Sequence, residues 1–296
     1  MISLIINTFN EPYTIGKAIE SFVKQNINER YELLVVCPDK KTIGVIKKYV
    51  KIYPQVKHIK DEGRGKSLAL NKILSIAKGR ILILSDGDVF VSDNSVNSIL
   101  EIFRDEKIGC VSGRPVSLNS RRDMFGYWSH LLFYGAHRIR KLLFEKGEFL
   151  ECSGYLFAFR NKVIKNFPVN VAEDTIIPYL FFIKGYKIGY AEKALVNVKN
   201  PANIKDWVKQ KKRTIKAHEI LKEYAKIKNI TRVKSFRNEV EKGFLWSLPY
   251  PKNIKEVIWT IALFVARLYV WISTFIDIKF RKKTYKDSWE RVESTK

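Results

Sequence analysis

Two aspartates close an apolar run at Leu84-Ser85-Asp86-Gly87-Asp88, and their i, i+2 spacing turns both carboxylates the same way in extended backbone. Converging carboxylates at the carboxyl end of a strand can hold a hard divalent cation, Mg²⁺ or Mn²⁺, which in turn neutralises a diphosphate. The same five residues also have the composition of a solvated turn. A second segment, Asp61-Glu62-Gly63-Arg64-Gly65-Lys66-Ser67, suits anions. It is not a Walker A loop, because Lys60 stands where a glycine is required, and Leu68 stands where the dinucleotide fingerprint needs its third glycine. What it offers is a flexible loop opening a helix, with Arg64, Lys66 and backbone amides for an anionic group, or simply a surface loop.

Two further segments carry charge in a pattern. Glu173-Asp174 opens a helix-period stretch, where two acids complement the helix dipole whatever else they do. Gln210-Lys211-Lys212-Arg213 forms a basic helix face backed by an apolar stripe of Trp207, Ile215, Ile220, Leu221 and Tyr224. The four histidines are scattered and none has ligand spacing.

The elements that must position these groups follow from hydrophobic periodicity. Short β-branched runs at 2–6, 32–36, 56–59, 81–84 and 108–111 alternate with helix-period segments near 13–25, 42–51, 67–77 and 95–103, the pattern of βα units feeding a mostly parallel sheet. After Arg114-Pro115 a basic and aromatic stretch over 121–144 reads as an amphipathic helical region, with an interruption expected near Gly135. Strands are expected at 155–159 and around 187–190, and mainly helix from Lys205 onward, punctuated by Pro249-Tyr250-Pro251.

Composition narrows the partners. The 296 residues are 46% hydrophobic, enough for a large core, and 54 Lys and Arg against 30 Asp and Glu give a net charge of +24. Residues 199–296 hold 24 basic and 10 acidic residues, more than half of that surplus. Such a balance admits nucleic acid, a phosphorylated substrate or an acidic membrane. Cys37, Cys110 and Cys152 form neither a disulfide framework nor a zinc pattern, which favours a reducing compartment, and the opening Ile2-Ser3-Leu4-Ile5-Ile6 is too short for an export signal.

Taken in order, these segments resemble the nucleotide-sugar glycosyltransferases of family 2, which have the GT-A fold, over roughly residues 2–216. The resemblance implies that the turn after the first strand, Thr8-Phe9-Asn10-Glu11, and Asp39 after the second hold the nucleotide. Gly63, Arg64 and Lys66, with Ala69-Leu70-Asn71, are similar to the family's Gly-Lys-Gly-x-Ala-x-Asn segment near the same nucleotide. Asp86 and Asp88 resemble its DxD pair, Asp88 as the metal ligand and Asp86 facing ribose or metal, with Mg²⁺ or Mn²⁺ as cofactor. Ser153 and Gly154 match the acceptor-side strand, Glu173-Asp174 the Glu-Asp pair whose aspartate is the general base, and Gln210 with Arg213 the Gln-x-x-Arg motif near acceptor and diphosphate. Thr214 replaces the tryptophan that follows this motif in chain-extending synthases.

The implied activity is inverting transfer from a UDP- or GDP-sugar to a hydroxyl of a glycan or lipid-linked acceptor, at the cytoplasmic face of the cell membrane. A polyprenyl-phosphate acceptor and, from another class, a basic nucleic-acid-binding protein are the alternatives; no nucleic-acid module is recognised, so no nucleic acid is expected. The expected organisation is a catalytic α/β domain over 1–200, a basic helical segment over 201–250 and a membrane-associated helix with a basic tail over 251–296. The apolar run 257–276 is about 30 Å long as a helix. Arg267 at its centre, a polar stripe of Thr260, Arg267 and Thr274, and the basic flank at Lys279, Arg281, Lys282 and Lys283 favour a helix in the interface of an anionic membrane, or a re-entrant hairpin, over one that crosses it, with a buried core or oligomer helix as the further alternative.

Overall fold

In the computed structural model, residues 1–169, 171–223 and 247–283 are described, with Gly243, Tyr285 and Thr295. Much of the 201–250 segment, including Tyr224, and most of the tail after Lys283 lie outside the described residues.

Fully buried strands read as continuous apolar runs. Three of them, β1 (Ile2–Asn7), β2 (Tyr31–Cys37) and β4 (Ile81–Asp86), with the half-exposed edge strand β3 (Val56–Lys60), build the first half of the sheet, all parallel in the order β3-β2-β1-β4. Helices α1 (Ile15–Val23), α2 (Lys40–Ile52) and α3 (Lys66–Ile76) make the crossovers. The register pairs Asn7 with Asp86, so the ends of β1 and β4 lie side by side.

The sheet continues through β7 (Leu156–Arg160), β6 (Ile108–Ser117), β8 (Lys187–Val198) and β5 (Val89–Val91). Four of its pairings are parallel and three, those of β4 with β7, β7 with β6 and β8 with β5, are antiparallel. The eight-stranded α/β architecture agrees with the expected GT-A type. Helix α4 (Ser95–Ile102) covers β6 and β8, and α6 (Glu173–Ile183) packs on the opposite side.

Three details differ from expectation. β6 runs on through Pro115, which is tolerated because β7 pairs only with residues 110–112 and leaves that flank of the strand free beyond them. β8 extends to Val198, well past Tyr190. The basic aromatic stretch is one unbroken helix, α5 (Met124–Glu145), which passes through Gly135 without interruption.

Beyond the sheet, α7 (Ile204–Glu219) and α8 (Ile254–Lys279) pack with α5 around a separate apolar cluster that includes Tyr127, Trp128, Trp207, Leu263 and Val270. Asn253 caps α8, accepting from the Glu256 amide at 3.0 Å. The polar stripe on α8 faces the protein: Thr260 bonds the Tyr127 hydroxyl at 2.6 Å, and Thr274 is buried. Ion pairs fix both ends, Arg121 to Glu256 at 2.8 Å and Lys212 to Asp277 at 2.6 Å. The opposite face exposes Ile258, Ile261, Val265, Leu268, Ile272 and Phe275.

Candidate active site

The carboxyl ends of β1 and β4, the start of α6 and the inner faces of α5, α7 and α8 enclose a cavity of about 770 Å³. Glu11, Lys66, Asp86, Asp88, Ser153, Gly154, Glu173, Asp174, Gln210 and Arg213 line it, so sequence-derived residues from six separate segments meet in one place.

At its centre Lys66 bridges two carboxylates, 2.7 Å to Asp86 Oδ1 and 2.6 Å to Glu173 Oε1. Asp86 ends β4 and Lys66 begins α3, so strand and helix termini deliver the pair without any strained loop. Burial pushes the Asp86 carboxyl up to about 6, with Lys66 acting against the rise and the charge of Asp88 adding to it. Lys66 stays a cation: burial opposes its charge, but Asp86 and Glu173 together hold its ammonium well above the ordinary lysine value. Arg213 is also held above its usual value, since Tyr285, Glu173 and Asp86 outweigh burial.

Asp174 stands directly over Gly154. A Cβ at position 154 would lie 2.6 Å from Asp174 Oδ2, so the glycine is what lets the carboxylate reach the cavity wall. The Asp86-Gly87-Asp88 turn is equally tight, because a Cβ on Gly87 would fall 2.3 Å from Glu11 Oε2 and 2.4 Å from Thr8 Oγ1. Thr8 in turn donates to Glu11 at 2.7 Å.

The remaining sequence-derived residues stand behind this wall rather than on it. Asp39 caps α2, accepting from the Thr42 amide at 2.9 Å and the Asn10 amide at 2.7 Å, and so ties the loop after β2 to the turn after β1. Burial raises its carboxyl, but those two amides prevail and hold it below the ordinary aspartate value. Gly63 adopts φ +71° and its amide donates to Asp61, while Arg64 is exposed and pairs with Glu62. Neither Asp39, Thr8, Asn10, Gly63 nor Arg64 lines the cavity.

Several lining residues escape motif reading. Asn7 is buried at the end of β1, and neither its side-chain amide nitrogen nor its amide oxygen has a hydrogen-bond partner among the described residues. Arg140 and Arg267 also border the cavity, as do Tyr155 and, from the turn that the resemblance assigns to the nucleotide, Phe9. Arg267 was visible as a charge in an apolar run; only the packing of α8 shows that it points inward.

For a divalent cation, the donor set is Asp86 and Asp88. Among the described residues no group of three or more His, Cys, Asp or Glu side chains is placed to hold a metal. Two carboxylates are the protein share usual for a cation that takes its other ligands from substrate phosphate and water. The raised Asp86 carboxyl, buried beside the charge of Asp88, is a field that a cation relieves, so the residues fit.

Carboxylates, a lysine and an arginine gather at the strand ends of an α/β sheet, the edge at which open sheets of this kind bind ligands. The profile of glycosyltransferase-like family 2 matches residues 1–217, and the chain belongs to that family. It is 25% identical over 130 residues to a beta-monoglucosyldiacylglycerol synthase of Nostoc sp., covering 42% of this chain and 28% of the relative. It is 33% identical over 110 residues to the minor teichoic acid biosynthesis protein GgaB of Bacillus subtilis, covering 36% of this chain and 12% of that protein. The fold is similar to that of a mannosyltransferase from Pyrobaculum calidifontis, solved with GDP-Man and Mn²⁺, at a TM-score of 0.66 and 17% identity over 95% of this chain and 88% of the other. It is also similar to S. aureus TarS 1-349 with UDP-GlcNAc, at 0.53 and 16% identity over 96% and 92%.

Proposed function

We propose that this chain is an inverting, metal-dependent glycosyltransferase that moves a sugar from a UDP- or GDP-sugar to a hydroxyl of a glycan or lipid-linked acceptor. The observation that carries the reading is the convergence on one cavity of the Asp86–Asp88 pair, the Lys66 bridge, Asp174 over Gly154, and Arg213. The donors held by the two similar solved structures, GDP-Man and UDP-GlcNAc, support a nucleotide-sugar.

In this mechanism Asp174 takes the proton of the acceptor hydroxyl as that oxygen attacks the anomeric carbon, so a single displacement inverts the centre with no covalent intermediate. Glu173 keeps Lys66 in place, and Lys66 and Arg213 offer positive charge to the diphosphate as it departs. Asp88 and Asp86 would hold Mg²⁺ or Mn²⁺, whose contribution when bound is to neutralise charge on the leaving diphosphate. Asp39, Thr8, Asn10 and Gly63 act by fixing the loops that receive the nucleotide, with Arg64 at their outer edge.

The seat of the reaction is the cytoplasmic face of an anionic membrane, with α8 lying in the interface. Both ends of α8, about 32 Å apart at 1.5 Å per residue, are ion-paired to the body of the protein, so a crossing would drag α5 and α7 into hydrocarbon. Its outward apolar face is too broad for a narrow coiled-coil seam, since Val257, Tyr269 and Ile276 widen it, and basic residues follow its end. A relative named for a glycolipid and another named for teichoic acid biosynthesis favour an acceptor met at a membrane.

A donor screen tests this reading. Purified protein in lipid nanodiscs, given UDP- and GDP-sugars with Mg²⁺ or Mn²⁺, should release nucleoside diphosphate from at least one of them. Neither release nor saturable donor binding under any combination would overturn it.

A further inference from the structure

The cavity runs from an outer end at the strand termini to an inner lobe between α5 and α8, and the strand termini give the outer end a direction. Along the sheet the order is β2, β1, β4, β7. The groups at those termini follow in the same order: Asp39 after β2, Asn7 ending β1, Asp86 ending β4, and Gly154, with Asp174 over it, just before the antiparallel β7. In the proposed reaction the acceptor proton goes to Asp174 and the diphosphate departs beside Asp86. A donor laid along this edge has its sugar toward Gly154, its diphosphate at Asp86 and its nucleoside toward β1 and β2. Neighbouring strands are about 5 Å apart, and one step of that size from the diphosphate along a nucleotide reaches its ribose.

Asn7 stands at that step and on the right face. Ile5, Leu34 and Leu84 lie in register in one buried cluster on one side of the sheet, and two residues further along each strand Asn7, Val36 and Asp86 share that side. Lys66 and Glu173 begin the two helices that cover it. The backbone of Asn7 is used in the ladders to β2 and β4, and its carbonyl accepts from the Gly87 amide at 3.0 Å. The side chain is not used. Asn7 is 2% exposed and lines the cavity, yet neither Oδ1 nor Nδ2 has a hydrogen-bond partner among the described residues. Ser3, the other polar residue of this strand, donates its hydroxyl to Glu32 at 2.8 Å.

A buried amide with both ends unmet opposes folding, and an apolar residue in its place would not. The group that completes it must donate to Oδ1 and accept from Nδ2. Diphosphate oxygens only accept. A ribose diol does both, whichever way the amide is turned, since each hydroxyl is donor and acceptor at once. We infer that Asn7 is a donor-specificity residue whose side-chain amide holds the 2′ and 3′ hydroxyls of the nucleotide's ribose, so that the site selects ribonucleotides over deoxyribonucleotides. The inference rests on the proposed nucleotide-sugar reaction and adds to it a residue outside the recognised motifs.

Calorimetric titration of the full chain in nanodiscs with UDP, GDP and their 2′-deoxy and 3′-deoxy analogues, in the presence of Mg²⁺, tests it. Whichever of UDP and GDP binds, the wild type should hold the ribonucleotide about tenfold more tightly than either deoxy form, the worth of one hydrogen bond whose partner is left buried. N7L, which keeps the volume and removes both polar atoms, should bring ribo and deoxy forms to near-equal affinity. Its melting temperature should equal or exceed that of the wild type, because the unmet amide is gone. N7A gives the same comparison where the larger side chain disturbs the strand end. A wild type indifferent to the ribose hydroxyls, or a preference untouched in both variants, would overturn the assignment. So would a lowered melting temperature with ribo and deoxy forms weakened alike, which makes Asn7 a structural residue. A changed preference between UDP and GDP with the ribose preference intact would place Asn7 at the base instead. Nucleotide binding without ribose preference sinks this inference alone, whereas no binding of either nucleotide or of its sugar conjugates removes the donor reading beneath it.

Discussion

The two ends of the cavity are made in opposite ways. At the outer end the charged groups are already engaged: Lys66 sits between Asp86 and Glu173, Asp39 takes two amides, Thr8 holds Glu11, and Gly87 leaves no space beneath the Asp86–Asp88 turn. At the inner end the walls include apolar helix faces, one glycine leaves open space, and one nitrogen of the buried Arg140 guanidinium has no hydrogen-bond partner among the described residues. A site whose groups are locked before the ligand arrives performs one chemistry with little reorganisation. A site with unfilled volume selects by size and charge, which is how one family keeps its reaction and changes its acceptors.

The largest effect that would break this comparison is expected at Asp174. D174N should lower turnover by about 10²–10⁴-fold, the usual worth of a positioned base, while donor affinity stays near wild type. Steady-state release of nucleoside diphosphate beside donor titration checks this, and unchanged turnover would remove Asp174 from the mechanism. Next comes Lys66. K66M leaves Asp86 and Glu173 buried without their shared cation, and denaturant unfolding should show a loss of about 3–5 kcal/mol. Stability equal to wild type would mean that the outer end is not held by this bridge. G154A is milder in stability but still severe in rate, because the added methyl displaces the Asp174 carboxylate; a loss of about 10² in kcat is expected with the melting temperature little changed.

These outer-end predictions use residues that could be read from the sequence, and the reason is physical. Strand ends followed by short loops keep functional groups close to their motif neighbours, so Asp86, Asp88, Lys66, Glu173 and Asp174 carry recognisable spacing. The parallel strands β1, β2 and β4 are legible for a related reason: burial on both faces demands largely unbroken apolar runs. The inner end had no such signature. Arg140, Arg267 and Gly135 lie on helices distant in sequence, and each alone resembles an ordinary surface cation or a helix flaw. Gly135 reads as an interruption because propensity alone disfavours it, and only tertiary packing shows an unbroken helix bordering a cavity. β5, three residues long, gives no period to detect, and Pro115 reads as a stop because the sequence does not reveal that β7 has already ended beside it.

The smallest effect concerns how firmly α8 closes the inner end. The Arg121 guanidinium hydrogen-bonds Glu256 and holds its carboxyl at about 2; burial works the other way, and the Lys252 amide adds to the fall. The folded value therefore lies below the 4.5 of an unperturbed glutamate, so this pair contributes fully above about pH 4.5 and its contribution fades as pH falls toward 2. Arg121 is partly exposed, which limits the pair to about 1 kcal/mol or less. Hydrogen exchange along α8 should accordingly quicken between pH 4.5 and 2.5, after correction for intrinsic rates, while β1 and β4 stay protected. E256Q should bring part of that loosening to neutral pH. The backbone ladders of β1 and β4 do not depend on an ion pair at the edge of the fold, so these strands should not share this response. If α8 and β1 lost protection together, the two ends would form one cooperative unit, and the inner lobe would be no more adaptable than the outer.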